Sequence, residues 1–483
     1  MIQSSKVNGI LNVIKRCLHI LFPLLTFPYL SRVLGPESLG KFSFADSVIN
    51  YFLLAAMLGV DSYAIREGAR FRDDKVKLQG FINEIFTVNV ISGILVLGLL
   101  LVLVYTNPTL SQYRLLLLVL GLMIPSTILG RDYINVIFED FLYITVRYIA
   151  VQLICLVLIF VFIKDSGDYV KYAFIFMLSY SLGYLLNIAY TTKKVCYGFS
   201  FGIQLRKHLV PILILFCGQI STVIYIQSGV TMLGIFKDEA DVGIYTIASK
   251  IPLLTKSIVN ALTAVTVPRI VFFLGHNDKK SYDGYTKKLF YYLLFAIAPI
   301  VTGLTFEAEN VLKIVGGTEY LSGTSSVQIL SIMLLFAVFS GYFCNAVLIP
   351  NRKEKDFLYI TVIAAIINVG LNWLLIPPYG IMGAAISTLL SEIAVLVFAY
   401  IKSKGFVEVR VDRKEIISIF VGCVAIMLLC IGFKLYVGNW IIEFFAAAIS
   451  SALAYTIILY YMNNQVMKDL VESSHSALHK LWR

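Results

Sequence analysis

The chain has 483 residues, of which 59% are apolar and 14% charged, with a net charge of +11 and a mean hydropathy of +0.83. An ordinary soluble domain carries about 25% charged residues, so no soluble fold of this length could hide the apolar surface, and lipid must be the solvent. The basic balance would suggest nucleic acid in a soluble protein, but here the placement of the charges matters more than their sum, and no nucleic-acid partner is expected.

A helix needs about 20 mostly apolar residues to cross the hydrocarbon core. In chain order the sequence predicts fourteen spans, at 8–33, 38–63, 80–105, 114–136, 141–163, 169–191, 209–235, 241–270, 288–306, 325–350, 357–378, 380–401, 415–436 and 439–462. The expected class is an all-α integral membrane protein. No small-residue cleavage site follows the first apolar run, so span 1 is expected to remain. Residues 1–195 are read as an N-lobe of six spans, 196–208 as a cytoplasmic linker and 209–402 as a C-lobe of six. A second linker at 403–414, two further spans within 415–463 and a cytoplasmic tail at 464–483 complete the division.

Lys and Arg concentrate on the cytoplasmic side of membrane proteins. With the N-terminus inside, thirty of the forty fall in inner connections and termini, eight outside, and two (Lys250 and Lys256) within span 8. A wrong span count would scramble this alternation. Both termini are therefore placed in the cytoplasm.

The chain also echoes itself. Asp140-Phe-Leu-Tyr-Ile-Thr-Val146 recurs as Asp356-Phe-Leu-Tyr-Ile-Thr-Val362, opening spans 5 and 11. Leu39-Gly40-Lys41-Phe42 is echoed by Val242-Gly243-Ile244-Tyr245, in spans 2 and 8, and Arg66 and Arg269 follow at the same offset. Both matches imply a shift of six spans, which preserves orientation. Parallel repeats of this kind build many transporters, with the substrate path between halves.

Ionisable groups inside a span cost a few kcal/mol each and are functional candidates by default. Asn8, Asn12, Lys15 and His19 share one face of span 1, with Arg16 beside them and Arg32 near the outer end. Such a stripe would line a polar cavity, although snorkelling to the interface is an even reading for Arg16. Lys250 lies about 15 Å from the outer end of span 8 at 1.5 Å per residue, which makes it the expected buried cation; Lys256 follows it. Arg131 and Arg147 flank the inner connection between spans 4 and 5, where ordinary anchoring is at least as good a reading. Among polar and acidic residues, Asp46 and Asn50 share a face of span 2, Asp61 lies near its inner end, and Glu392 sits midway along span 12 with no obvious local cation. Asp46, Asp61 and Glu392 are candidates for ion coupling. The cations (Lys15, Arg16, His19, Arg32, Arg66, Arg131, Arg147, Lys250, Lys256 and Arg269) suit an anionic substrate, since paired cations bind phosphate through charge-assisted hydrogen bonds.

Gly35-Pro-Glu-Ser-Leu-Gly40-Lys41 matches the opening of a phosphate-binding loop, but Phe42 replaces the required Ser or Thr and no strand precedes it. It reads as a turn. The seven cysteines are scattered without CxxC spacing, as small apolar side chains rather than a disulfide frame. No metal or other cofactor is expected, and no catalytic constellation is present.

Pro28-Tyr-Leu-Ser-Arg-Val-Leu-Gly-Pro-Glu-Ser-Leu-Gly-Lys41, followed by Tyr51-Phe52 and Arg66-Glu67, resembles the N-terminal signature of bacterial polysaccharide flippases of the O-antigen, or Wzx, type. The segment from Asn368 to Glu392, containing Asn372-Trp-Leu-Leu-Ile-Pro-Pro-Tyr-Gly-Ile-Met-Gly-Ala-Ala385, resembles their C-lobe signature. The resemblance implies membership of the multidrug/oligosaccharidyl-lipid/polysaccharide superfamily. It implies two six-helix lobes in a V around a cavity, working by alternating access. The implied cargo is an undecaprenyl-diphosphate-linked oligosaccharide of an O-antigen, lipopolysaccharide or capsule, moved from the inner to the outer leaflet of the bacterial plasma membrane. Membrane lipids and other glycan-assembly proteins, a polymerase or chain-length regulator, are the implied partners. The alternatives are an ion-coupled multidrug exporter of the same superfamily, a lipid II flippase, and a membrane glycan polymerase or transferase.

Overall fold

The computed structural model describes residues 5–196, 198–200, 205–407 and 412–472, with side chains left aside at 5–10, 12–14, 16, 17, 19, 20, 205 and 206. The regular elements among them are all helical. Twelve helices are long and apolar enough to cross a membrane. They are α1 (Ser5–Met57), α2 (Lys75–Thr106), α3 (Arg114–Ile137, interrupted at Leu122 and Arg131), α4 (Phe141–Phe162), α5 (Tyr169–Thr191) and α6 (Leu205–Phe236). There follow α7 (Glu239–Gly275), α8 (Lys279–Phe306), α9 (Thr324–Gly341), α10 (Glu354–Ser403), α11 (Arg413–Tyr436) and α12 (Trp440–Tyr461).

Two of the twelve are too long for one crossing. α1 has 53 residues and α10 has 50, about 75 Å each at 1.5 Å per residue, against a hydrocarbon core of about 30 Å. Each bends at a glycine: Gly35 has φ 71° and ψ 172°, and Gly380 has φ 53° and ψ −130°. Pro36 follows the first bend and Pro377-Pro378 precede the second. Proline removes a helical donor and disfavours helical geometry in the residue before it, and glycine accepts the positive φ that results. Division at these bends gives fourteen segments of crossing length, the number predicted. The loop-like Gly35–Lys41 motif is this bend and the turn after it.

The fold divides into two compact units, 1–246 and 247–483. In unit 1, a core of Tyr63, Ile82, Ile85, Ile134, Ile137 and Ile212 joins α2, α3, α6 and the short helix Val60–Gly68. In unit 2, α8, α9 and α10 pack around Leu293, Tyr342, Val347 and Ile360. The last two helices pack on one another through Ile419, Ile426, Ala447 and Leu459, and against Leu294 and Phe295 of α8.

The repeated heptapeptide makes the same bond twice. Asp140, ahead of α4, pairs with Lys194 just past α5 at 2.6 Å. Asp356, in the first turn of α10, pairs with Lys402 at its end at 3.0 Å. The other echo is a contact. A Cβ on Gly40 would lie 1.7 Å from the carbonyl oxygen of Glu239, and one on Gly243 would lie 2.0 Å from that of Pro36. Each glycine thus meets the carbonyl four residues before its counterpart, so α1 and the start of α7 cross backbone against backbone. Gly40→Ala and Gly243→Ala are therefore each expected to cost about 1–3 kcal/mol, read as a lower melting temperature in detergent.

Burial pushes the Asp140 carboxyl up, but hydrogen bonds from Lys194 and Tyr190 prevail and leave it below the usual carboxylate range. Its contribution to stability is full above the unfolded value of about 3.9 and is lost as pH falls through the lower folded value. Asp140→Asn should cost about 1 kcal/mol or less at neutral pH, and the gap from wild type should close in melts run at pH below that range.

Candidate functional site

Unit 1 encloses a polar cavity of about 120 Å³. Its lining comes from three places far apart in sequence: Lys15 from α1, Asp132 from α3 with Arg147, Tyr148 and Gln152 from α4, and Ser179, Tyr180 and Tyr184 from α5. The local sequence explains how α3 delivers its acid. Arg131 takes a left-handed φ of 46° between Gly130 and Asp132 and breaks the helix there. Asp132 then opens a fresh helical turn, Asp132–Ile137, where a carboxylate meets the positive end of the helix dipole.

Arg147 supplies the counter-charge. Its Nη2 donates to both carboxylate oxygens of Asp132, at 2.8 and 2.7 Å. Asn187 of α5 donates to Asp132 Oδ1 at 3.0 Å and to the Gly130 carbonyl at 2.6 Å. Asn135 in turn donates to Asn187 at 2.6 Å. Three helices are thereby locked around one buried ion pair. Arg147 is only 9% exposed, and its Nη1 has no hydrogen-bond partner. Lys15 approaches from α1, with its ammonium 5.9 Å from the Tyr148 ring centroid. Two cations face one acid, so the cavity carries a net positive charge.

The sequence placed more residues in the site than the structure gathers there. Lys15 and Arg147 share the cavity. The side chains of Asn8, Asn12, Arg16 and His19 lie outside the described residues. Arg32 is exposed near the end of the first arm of α1. Arg131 is fully buried, with its guanidinium 3.6 Å from the Phe86 ring centroid rather than in the cavity lining. Arg66 is exposed and pairs with Glu67 at 3.2 Å. Arg269 is exposed and donates to the Tyr285 hydroxyl at 3.4 Å. Asn50 donates to the backbone carbonyl of Asp46 at 2.7 Å, Asp46 itself lies within electrostatic range of Tyr172 and Tyr180, and Asp61 is exposed.

Two expectations about charge are corrected. Lys250 was expected to be the buried cation, but it is only half-buried, whereas Arg131 and Arg147 are buried. Arg131 is buried against the Phe86 ring and Arg147 against the Asp132 carboxylate. Glu392 was expected to lack a local cation. In unit 2 it is buried, takes a hydrogen bond from Ser340 at 3.0 Å and pairs with Lys256 at 3.3 Å. Lys256 is 136 positions away in sequence, and Ser340 lies 52 positions away, two residues before the wide π-helical turn Tyr342–Leu348, so neither partner is visible locally. Asp132, Tyr148, Gln152, Ser179, Tyr180 and Tyr184 were not foreseen. The signal for the tyrosines was present, since Tyr172, Phe176, Tyr180 and Tyr184 recur every four residues along α5.

Comparison with known proteins gives three findings. Residues 6–273 match the family model described as polysaccharide biosynthesis protein. A protein of Escherichia coli (strain K12) named "Putative O-antigen transporter" is 24% identical over 379 residues, which cover 77% of this chain and 90% of that one. One of Haloferax volcanii named "Probable low-salt glycan biosynthesis flippase Agl15" is 25% identical over 48% of this chain and 50% of its own length. Among solved structures, the lipid II flippase MurJ in an inward closed conformation superposes with a TM-score of 0.75 at 15% identity, covering 97% of this chain and all of that one. The likeness to MurJ establishes the fold.

The ion pair makes its own prediction. Asp132→Ala leaves Arg147 buried without its counter-charge and should destabilise by about 3–5 kcal/mol. The double change Asp132→Asn with Arg147→Met removes both charges and should recover part of that loss. A double-mutant cycle on melting in detergent measures the coupling; additive losses would show that the pair is not what holds α3 and α4 together.

Proposed function

The chain belongs to the polysaccharide biosynthesis protein family, and on that premise we propose that it is a flippase for a lipid-linked glycan precursor. It is a multi-pass membrane transporter, not an enzyme. The cargo we propose is an oligosaccharide on undecaprenyl diphosphate, moved from the inner to the outer leaflet of the bacterial plasma membrane by alternating exposure of the site to the two faces. Both termini lie in the cytoplasm in this reading, which follows from the Lys/Arg distribution.

The observation that carries the reading is the cationic cavity of unit 1, lined by Lys15 and Arg147. A diphosphate is recognised by cations that hydrogen-bond its oxygens, and such bonds strengthen in a low dielectric. The acid in the cavity, Asp132, is already held by Arg147, so the remaining charge favours an anion over a drug cation. The lipid tail would stay in the bilayer, and only the headgroup needs a polar route. The fold alone does not choose, since a multidrug transporter of the same superfamily also superposes, with a TM-score of 0.61. Lys250, in unit 2, is proposed as a separate anion-binding residue, and the Lys256–Glu392 pair is the proposed ion-coupling element.

Lys15→Ala and Lys250→Ala are each expected to abolish surface glycan in cells that depend on this protein, while the protein remains in the membrane by immunoblot. Unchanged glycan in both variants would overturn the cationic assignment.

A further inference from the structure

The aromatic residues of α5 extend beyond the anion-binding corner of the cavity and are not needed for it. Tyr172, Phe176, Tyr180 and Tyr184 stand on one face, four residues apart, over about 18 Å at 1.5 Å per residue. The rings of Tyr172, Phe176 and Tyr180 form a ladder. Tyr172 and Phe176 are 6.2 Å apart, centroid to centroid, and Phe176 and Tyr180 are 5.4 Å apart. Phe42 of α1 closes the outer end against Tyr172 at 4.4 Å and Phe176 at 5.1 Å. The ladder is packed shut at Tyr172, which is 5% exposed, and open at Tyr180, which is 46% exposed and lines the cavity.

The open end faces polar partners rather than a plain apolar wall. Tyr148, Gln152 and Ser179 line the same space. Arg147 Nη1 is more than nine-tenths buried and has no partner of its own. The volume holds about four waters at about 30 Å³ each. Aromatic faces beside amide, hydroxyl and guanidinium donors fit an amphipathic ring. The C–H face of a pyranose packs on aromatic carbon, and its hydroxyls need hydrogen-bond partners at the rim.

We infer that this cavity seats a sugar ring of the cargo, packed on Tyr180 and Tyr148, with Gln152 and Ser179 as hydrogen-bond partners for its hydroxyls. The remaining rungs, Phe176 and Tyr172, continue the same surface along α5. This rests on the glycan-flippase reading and adds to it that unit 1 recognises the sugar and not only the anion.

The test uses the full chain in lipid nanodiscs and native mass spectrometry, with two defined probes. One is undecaprenyl diphosphate and the other is undecaprenyl diphosphate carrying N-acetylglucosamine. The wild type is expected to prefer the sugar-bearing lipid several-fold. Tyr180→Leu and Tyr148→Leu should each lose that preference while still binding the bare diphosphate, and Tyr180→Phe, which keeps the ring, should retain most of it. A wild type that binds both probes equally overturns the sugar seat and leaves the flippase reading intact. A preference unchanged in both leucine variants overturns it as well. Binding of neither probe overturns the flippase reading and the sugar seat with it.

Discussion

The buried bond between Asp132 and Arg147 is the interaction around which unit 1 is organised. A charge at membrane depth is expensive and persists only when it is compensated nearby. Compensation here requires three helices at once: α3 must break at Arg131 to present the acid, α4 must bring the guanidinium, and α5 must contribute Asn187 to hold the carboxylate in place. Nη2 is committed to Asp132, and the other terminal nitrogen of Arg147 is buried without a hydrogen-bond partner. The polar space beside it exists because the ion pair prevents the three helices from closing on apolar side chains. Unit 2 meets the same constraint by another route, with Glu392 held by Lys256 and Ser340 next to a π-helical turn. Wide turns of this kind occur often at functional sites.

A second constraint is the duplication. The two heptapeptides diverge in their surroundings, yet each aspartate keeps a lysine at the inner end of the following span. The pair of glycines is kept for a steric reason: any side chain at Gly40 or Gly243 would occupy the place of a carbonyl oxygen. One echo therefore preserves an ion pair and the other preserves a space. Both explain why short stretches stay alike in a chain where most lipid-facing positions accept any apolar residue.

The fold and the site carry different parts of the functional argument. The superposition on a lipid II flippase places the chain in a known architecture, but that architecture also serves multidrug transporters. Charge and shape make the distinction. In the proposed reading a surplus cation suits an anion, and the tyrosine-lined wall suits a ring with one apolar face. A diphosphate-linked sugar offers both groups, joined to a tail that lipid can hold.

The number of the spans was legible because each depends on residues within one helix. Apolar length sets a crossing, Lys and Arg set the side, and proline with glycine marked both bends to within a few residues. Lys15 was singled out on the same basis, since neighbours on one helical face are fixed by the 3.6-residue period. Pairing across helices was not legible. Asp132 and Arg147 are only 15 positions apart, but they meet because Arg131 adopts a left-handed backbone conformation that nothing in its own neighbourhood announces. Glu392 looked unpaired because its lysine lies 136 positions away. Sequence by itself thus determined how many segments of this chain are long and apolar enough to cross the bilayer, because lipid imposes that on each segment separately. Which charges are buried, which are neutralised and where an open cavity remains were decided only by tertiary structure, because those depend on distances between helices that no local pattern encodes.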